Sequence, residues 1–177
     1  MGPVFNDEQR KKAIFILESP LAKLSELYSA EIKDLAVLWC YYSGKIEGNT
    51  YTYVETEALL KDGITSEKRY EDAKMLKNLY NTFTSELEYI HKFQNQEIIN
   101  EATLFRIHQS ISTGLVSNEE SGSLRTRAVR ISGTLYTPPQ NQQEIKSKLN
   151  EILFQQEEYA NPLERAVLLH GRLARLE

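Results

Sequence analysis

The sequence predicts a mainly α-helical domain, a helical bundle with one short β-hairpin. Apolar residues recur at helical spacing along most of its 177 residues. Helix punctuation falls between these stretches: threonine and asparagine caps, proline starts and glycine stops. A single segment, 117–139, breaks the texture with a run rich in serine, glycine, arginine and threonine.

Taken in order, a first helix is expected over Asp7–Glu18 and a second over Pro20–Ala30, since proline suits a first helical turn. Ile32, Leu35, Ala36, Leu38 and Trp39 then continue at helical spacing up to Ile46, where Gly48-Asn49 stops the helix. Thr52 and Glu55 form a capping box for a short helix ending near Lys61-Asp62-Gly63. Ser66 opens a long helix with Ala73, Leu76, Leu79, Tyr80, Phe83 and Leu87 on one face. Asn100 caps the next, with Leu104, Ile107, His108, Ile111 and Leu115 inward.

Within the atypical segment, Ala128–Ile131 and Ser132–Tyr136 read as two short strands about a glycine turn, ended by Pro138-Pro139. Helical texture resumes at Gln140, with Ile145, Leu149, Ile152 and Leu153 on one face. Asn161-Pro162 opens a last helix as cap and first residue. Its inward face is expected to carry Leu163, Ala166, Val167, His170, Leu173 and Ala174.

A hydrophobic fraction of 41% with ten tyrosines suffices for a core without disulfide or metal. The formal charge of −4 argues against nucleic-acid binding, which favours basic domains. The single cysteine, Cys40, lies in an apolar run and reads as a buried thiol; a reducing, cytoplasmic compartment is expected. The N-terminus has no secretory pattern and no myristoylation serine or threonine. No apolar run approaches the ~18 residues that span a bilayer, so no membrane partner is expected.

Enzyme motifs are sparse. The sequence has no glycine-rich phosphate loop, no paired-cysteine site and no His-Glu-x-x-His. His91, His108 and His170 are widely spaced, and the last two read as hydrogen-bonded core histidines. Arg125, Arg127 and Arg130 suit either phosphate contact or a solvated hairpin. The hairpin itself is either ordinary or an edge that captures an extended peptide by strand addition.

The most informative run is 43–49, Ser-Gly-Lys-Ile-Glu-Gly-Asn. It puts Glu47 at a helix C-terminus, where the backbone already carries partial negative charge. Either this carboxylate faces water or, if buried, it pairs with an arginine.

This run resembles the inhibitory-helix motif of the Fic (filamentation induced by cAMP) family, Ser/Thr-x-x-x-Glu-Gly/Asn. Two further stretches carry the likeness. Ser121-Gly-Ser-Leu-Arg-Thr126, continuing through Val129-Arg130-Ile131-Ser132-Gly133 to Pro138-Pro139, resembles the family's flap hairpin. Leu163-Glu-Arg-Ala-Val-Leu-Leu-His170 resembles the helix leading into its active-site loop. The likeness covers about residues 30–177. It implies a Fic-like helical bundle, divided as N-terminal helices with the inhibitory helix (1–62) and a partial core (63–177) with its flap at about 121–139.

Family members mostly transfer AMP from ATP to protein hydroxyls, with ATP and magnesium implied for intact members. The resemblance assigns inhibition to Ser43, Glu47, Gly48 and Asn49, with Glu47 blocking productive nucleotide binding. It assigns target alignment by strand addition to Val129, Arg130, Ile131, Ser132 and Gly133. The family signature, His-Pro-Phe-x-Asp/Glu-Gly-Asn-Gly-Arg-x-x-Arg, does not occur in these residues, and it would be expected just after Glu177. A naturally shortened reading frame and a piece of a longer protein both fit. No catalytic residue, metal ligand or cofactor is therefore assigned here, and this polypeptide alone is expected to be inactive. The faces carrying Leu149, Leu153, Val167 and His170 are expected to lack a partner, which favours partial disorder near the C-terminus or self-association that covers them. The alternative is a non-catalytic interaction module, or an inhibitor acting in trans through the flap and Glu47.

Overall fold

The computed structural model describes residues 4–23, 27–93 and 99–176. Among them are seven α-helices: α1 (Asp7–Glu18), α2 (Ser29–Ile46), α3 (Tyr53–Asp62), α4 (Tyr70–Phe93), α5 (Glu101–Ser112), α6 (Gln142–Gln155) and α7 (Pro162–Leu173). The chain divides into two compact units. One comprises Met1–Ala22, Glu97–Leu104 and Leu124–Glu177; the other comprises Lys23–Gln96 and Phe105–Ser123. No described helix is long and apolar enough to cross a membrane.

Local capping chemistry explains most boundaries. Thr52 accepts from the Glu55 N–H while the Glu55 carboxylate accepts from the Thr52 N–H, the expected capping box. Gly63 closes α3 at φ +72°, a conformation that favours glycine. Asn161 accepts from the N–H groups of Leu163 and Glu164 at the start of α7. A box at Asn6 and Gln9 opens α1, and Asn100 caps α5. The second helix differs from expectation. Pro20–Ala22 forms only a 3-10 turn, residues 24–26 lie outside the described residues, and α2 starts at Ser29. There Glu31 reaches back to the Tyr28 N–H at 2.8 Å.

In the Lys23–Gln96 unit, α2, α3 and α4 enclose Cys40, Tyr51, Leu59 and Leu76, with Leu60, Ala73, Leu79 and Tyr80 packed around them. Gly44 faces Leu76 while Trp39 stacks on Phe83 at 4.9 Å, so α2 and α4 run antiparallel. A Cβ on Gly44 would lie 3.1 Å from Leu76 Cδ2, so the glycine is what permits this approach. Asn78 donates to the carbonyls of Ile111 and Thr113 at 3.0 and 2.8 Å, tying α4 to the end of α5. Burial pushes the Cys40 thiol up to about 12, leaving it protonated and inert.

In the other unit, α6 packs on α7, and α1 packs on α7 as well. The buried face of α7 is not the one expected. Glu164, Leu168 and Leu169 are buried, whereas Ala166, Val167, His170 and Ala174 are exposed. Glu164 can be buried because the N–H groups of Val4 and Phe5 donate to its Oε1 at 3.0 and 3.1 Å and Arg10 pairs with it. Leu149, expected to lack a partner, is also buried.

No strand forms among the described residues, so the two short strands expected over 128–136 are not found. A turn is present, with Gly133 at φ +78°. The two arms share no backbone hydrogen bond and are held by side chains instead. An isolated pair of four- or five-residue arms is marginal as a hairpin without a third strand or a packed face.

Candidate functional site

The motif at 43–49 ends α2, and its residues separate into anchors and one free group. Asn49 is buried, with 4% of its surface exposed. Its Nδ2 donates to the Asp72 backbone carbonyl at 2.8 Å, and its Oδ1 accepts from the Tyr51 N–H at 3.0 Å. Its own N–H returns to the Gly44 carbonyl at 2.8 Å. Gly48 turns the chain at φ +77°. Glu47 is exposed at the helix end, and its carboxylate has no hydrogen bond or ion pair among the described residues. It takes up no substitute arginine. Ser43 is half-buried, and its hydroxyl has no hydrogen-bond partner among them either.

Sequence reasoning missed the residues that lock this turn. The buried Asp72 carboxylate accepts from the Thr50 N–H at 3.1 Å, from the Thr50 hydroxyl, and from Arg69 at 2.8 Å. Burial alone would raise its pKa; the Thr50 bonds and the Arg69 guanidinium outweigh it and hold the carboxyl below its usual value. No local pattern marks Asp72. Gly44 did leave a signal, because glycine inside an apolar helix costs about 1 kcal/mol against alanine and so points to close packing.

From Leu124 on, the flap segment lies in the other unit. Arg125 donates to the carbonyls of Arg127 at 2.8 Å, Pro139 at 2.6 Å and Leu176 at 3.1 Å. Gln140 donates to the carbonyls of Val129 at 3.2 Å and Pro138 at 2.6 Å. Tyr136 donates its hydroxyl to the Arg175 carbonyl at 2.9 Å. The loop base is thus clamped beside the end of α7. Above it, Arg130, Ile131, Ser132 and Gly133 are exposed and Val129 is half-buried. Arg125 is engaged as a carbonyl clamp rather than lying free for phosphate; Arg127 and Arg130 face solvent.

The histidines differ from expectation. His108 is exposed, its Nδ1 accepting from the Gly122 N–H at 3.0 Å, so it is hydrogen-bonded but not core. His170 is exposed on α7, and the side chain of His91 lies outside the described residues. Among the described residues no group of three or more His, Cys, Asp or Glu side chains is placed to hold a metal ion.

No family model and no curated protein matches the sequence. Among solved structures, the fold is similar to that of a Fic family protein from Desulfovibrio desulfuricans G20, with a TM-score of 0.68 and 15% sequence identity. The match covers 99% of this chain and 54% of that one, so the chain spans about half the length of its neighbour. The molecule therefore has a mainly helical, Fic-like fold.

Proposed function

We propose that these residues form the inhibitory-helix and flap portion of a Fic-type module, whose family chemistry is AMP transfer from ATP to a protein hydroxyl. The observation that carries the reading is the free, exposed carboxylate of Glu47 at the end of a helix whose next turn is locked by Asn49, on a Fic-like fold. In this reading Glu47, with Ser43, Gly48 and Asn49, restrains nucleotide binding, and Val129 to Gly133 align a target strand. The exposed tip of the loop supports strand addition, since its backbone groups are not paired across the loop.

In this reading ATP and magnesium are implied for the intact module, and no residue here is proposed to hold them: Arg125 donates to carbonyls, and among the described residues no group of three or more His, Cys, Asp or Glu is placed to hold a metal ion. No chemical step is assigned to them here. The purified 177-residue chain is expected to transfer no AMP and to bind ATP weakly at most. Label transferred from ATP by the chain alone, or micromolar ATP affinity in calorimetry, would overturn this.

The unpaired state of Glu47 supports a second reading, an inhibitor acting in trans. Added to an active Fic enzyme that lacks its own inhibitory helix, the chain should slow AMP transfer, and Glu47→Gly should abolish the effect.

A further inference from the structure

We propose that two copies of this chain pair through α2, antiparallel about a two-fold axis. The helix has two apolar faces. Ala36, Val37, Cys40 and Gly44 are buried within their own unit. A second row, Tyr28, Ile32, Leu35, Trp39, Tyr42 and Ile46, repeats at alternating spacings of four and three residues, the period of a coiled-coil seam. Ile32 and Leu35 of this row are half-buried, and the other four are exposed. Tyr28 is 79% exposed, Trp39 39%, Tyr42 61% and Ile46 84%, with Leu38 beside them at 41%. The Trp39 ring is already fixed by stacking on Phe83.

Two observations select a second copy as the occupant. The first is area. At about 150–250 Å² per large side chain, the exposed fractions leave roughly 600 Å² on each copy. Two copies would bury about 1,200 Å², above the ~1,000 Å² expected of a specific interface. The second is charge. An antiparallel register stacking Tyr28 on Ile46, Ile32 on Tyr42 and Leu35 on Trp39 brings Glu31 of one copy beside Lys45 of the other. The two-fold axis repeats that pair. Both side chains are exposed. Glu31 accepts from the Tyr28 N–H and Lys45 donates to the Asn49 carbonyl, which leaves each with capacity for a further partner. A parallel pairing would lose this complementarity, because Glu31 of one copy and Lys45 of the other would lie about 21 Å apart along the seam.

The inference does not depend on AMP-transfer chemistry. Sedimentation equilibrium of the purified chain tests it. The wild type should be a dimer at micromolar concentration. Ile46→Lys and Tyr42→Lys should each weaken association at least tenfold with the thermal midpoint of the dilute monomer little changed, since Ile46 is 84% and Tyr42 61% exposed and a lysine suits the helix C-terminus. Glu31→Lys or Lys45→Glu alone should weaken it, and the double reversal should restore it. A monomeric wild type would overturn the proposal. So would a dimer indifferent to all four changes, or one lost with Val167→Glu instead, which would put the contact on α7.

Discussion

Asn49 is predicted to contribute more to stability than Glu47 of the same 43–49 run, and its amide is the reason. A carboxamide both donates and accepts, and here it does both: Nδ2 to the Asp72 carbonyl at 2.8 Å, Oδ1 from the Tyr51 N–H at 3.0 Å. Asn49→Ala leaves the buried Tyr51 N–H without its acceptor, and one orphaned buried group costs about 1–3 kcal/mol. We expect about 2 kcal/mol, which for a chain of this size lowers Tm by about 4–8 °C. Asn49→Asp is the sharper test. It is isosteric and keeps the acceptor for Tyr51, but it sets a carboxylate oxygen against the Asp72 carbonyl oxygen, next to the Asp72 side chain. It should destabilise at least as much as alanine, with the deficit shrinking as pH falls and the new acid protonates. Glu47→Gln is the control, expected within about 0.5 kcal/mol of wild type because an exposed, unpaired side chain is removed. Urea and thermal melts of the three variants measure this. A change under about 0.5 kcal/mol for both Asn49 variants would refute the lock.

Gly44→Val should destabilise by about 1–3 kcal/mol despite valine's better helix propensity, through overpacking against Leu76 and Asn49; paired denaturant melts read it. Asp72 and Glu164 both have carboxyls held below their usual values in the folded state, Glu164 chiefly by the Phe5 N–H and, against desolvation, by Arg10 and the Val4 N–H. A depressed folded pKa stabilises above the unfolded value of about 4 and is lost as pH falls through the folded value, so stability should drop on acidification below about pH 4. Asp72→Asn should flatten part of that slope in acid-titrated melts. Glu164→Ala should speed amide exchange at Val4 and Phe5 relative to α6, and unchanged exchange would show that the arm is held by other contacts.

Much of the fold was legible because its signals are local. The bounds of α1, the Thr52 box, the Gly63 stop and the Asn161-Pro162 start each depend on residues within one helical turn. The misreadings have long-range causes. The buried face of α7 was misread because a charged residue, Glu164, takes an inward position, and its partners Val4, Phe5 and Arg10 lie at the other end of the chain. The strands over 128–136 were read from composition. What holds that loop is a pair of side chains, Arg125 and Gln140, reaching carbonyls of the loop base, and no alternation of residue types announces such a clamp. At the candidate site the run 43–49 stands out by its motif, whereas Asp72 does not, since a single acid in a helix's first turn is ordinary.

The α2 end separates two properties that usually travel together. Position is fixed by Asn49, Thr50 and Asp72, whereas Glu47 rests on its backbone alone. A free carboxylate there gains nothing from the helix, whose C-terminus already carries partial negative charge. Its effect on folding and its effect on any partner are therefore measurable apart. Glu47→Gln alters only the charge that a partner meets outside the helix. A change at Asn49 alters both the turn and what the turn presents. If Glu47→Gln and Asn49→Ala both abolish inhibition of a Fic enzyme in trans, but only the second lowers Tm, the carboxylate is the acting group and the asparagine is its positioning residue. The same loss of Tm in both would assign Glu47 to the fold and remove the physical basis for reading it as an inhibitor.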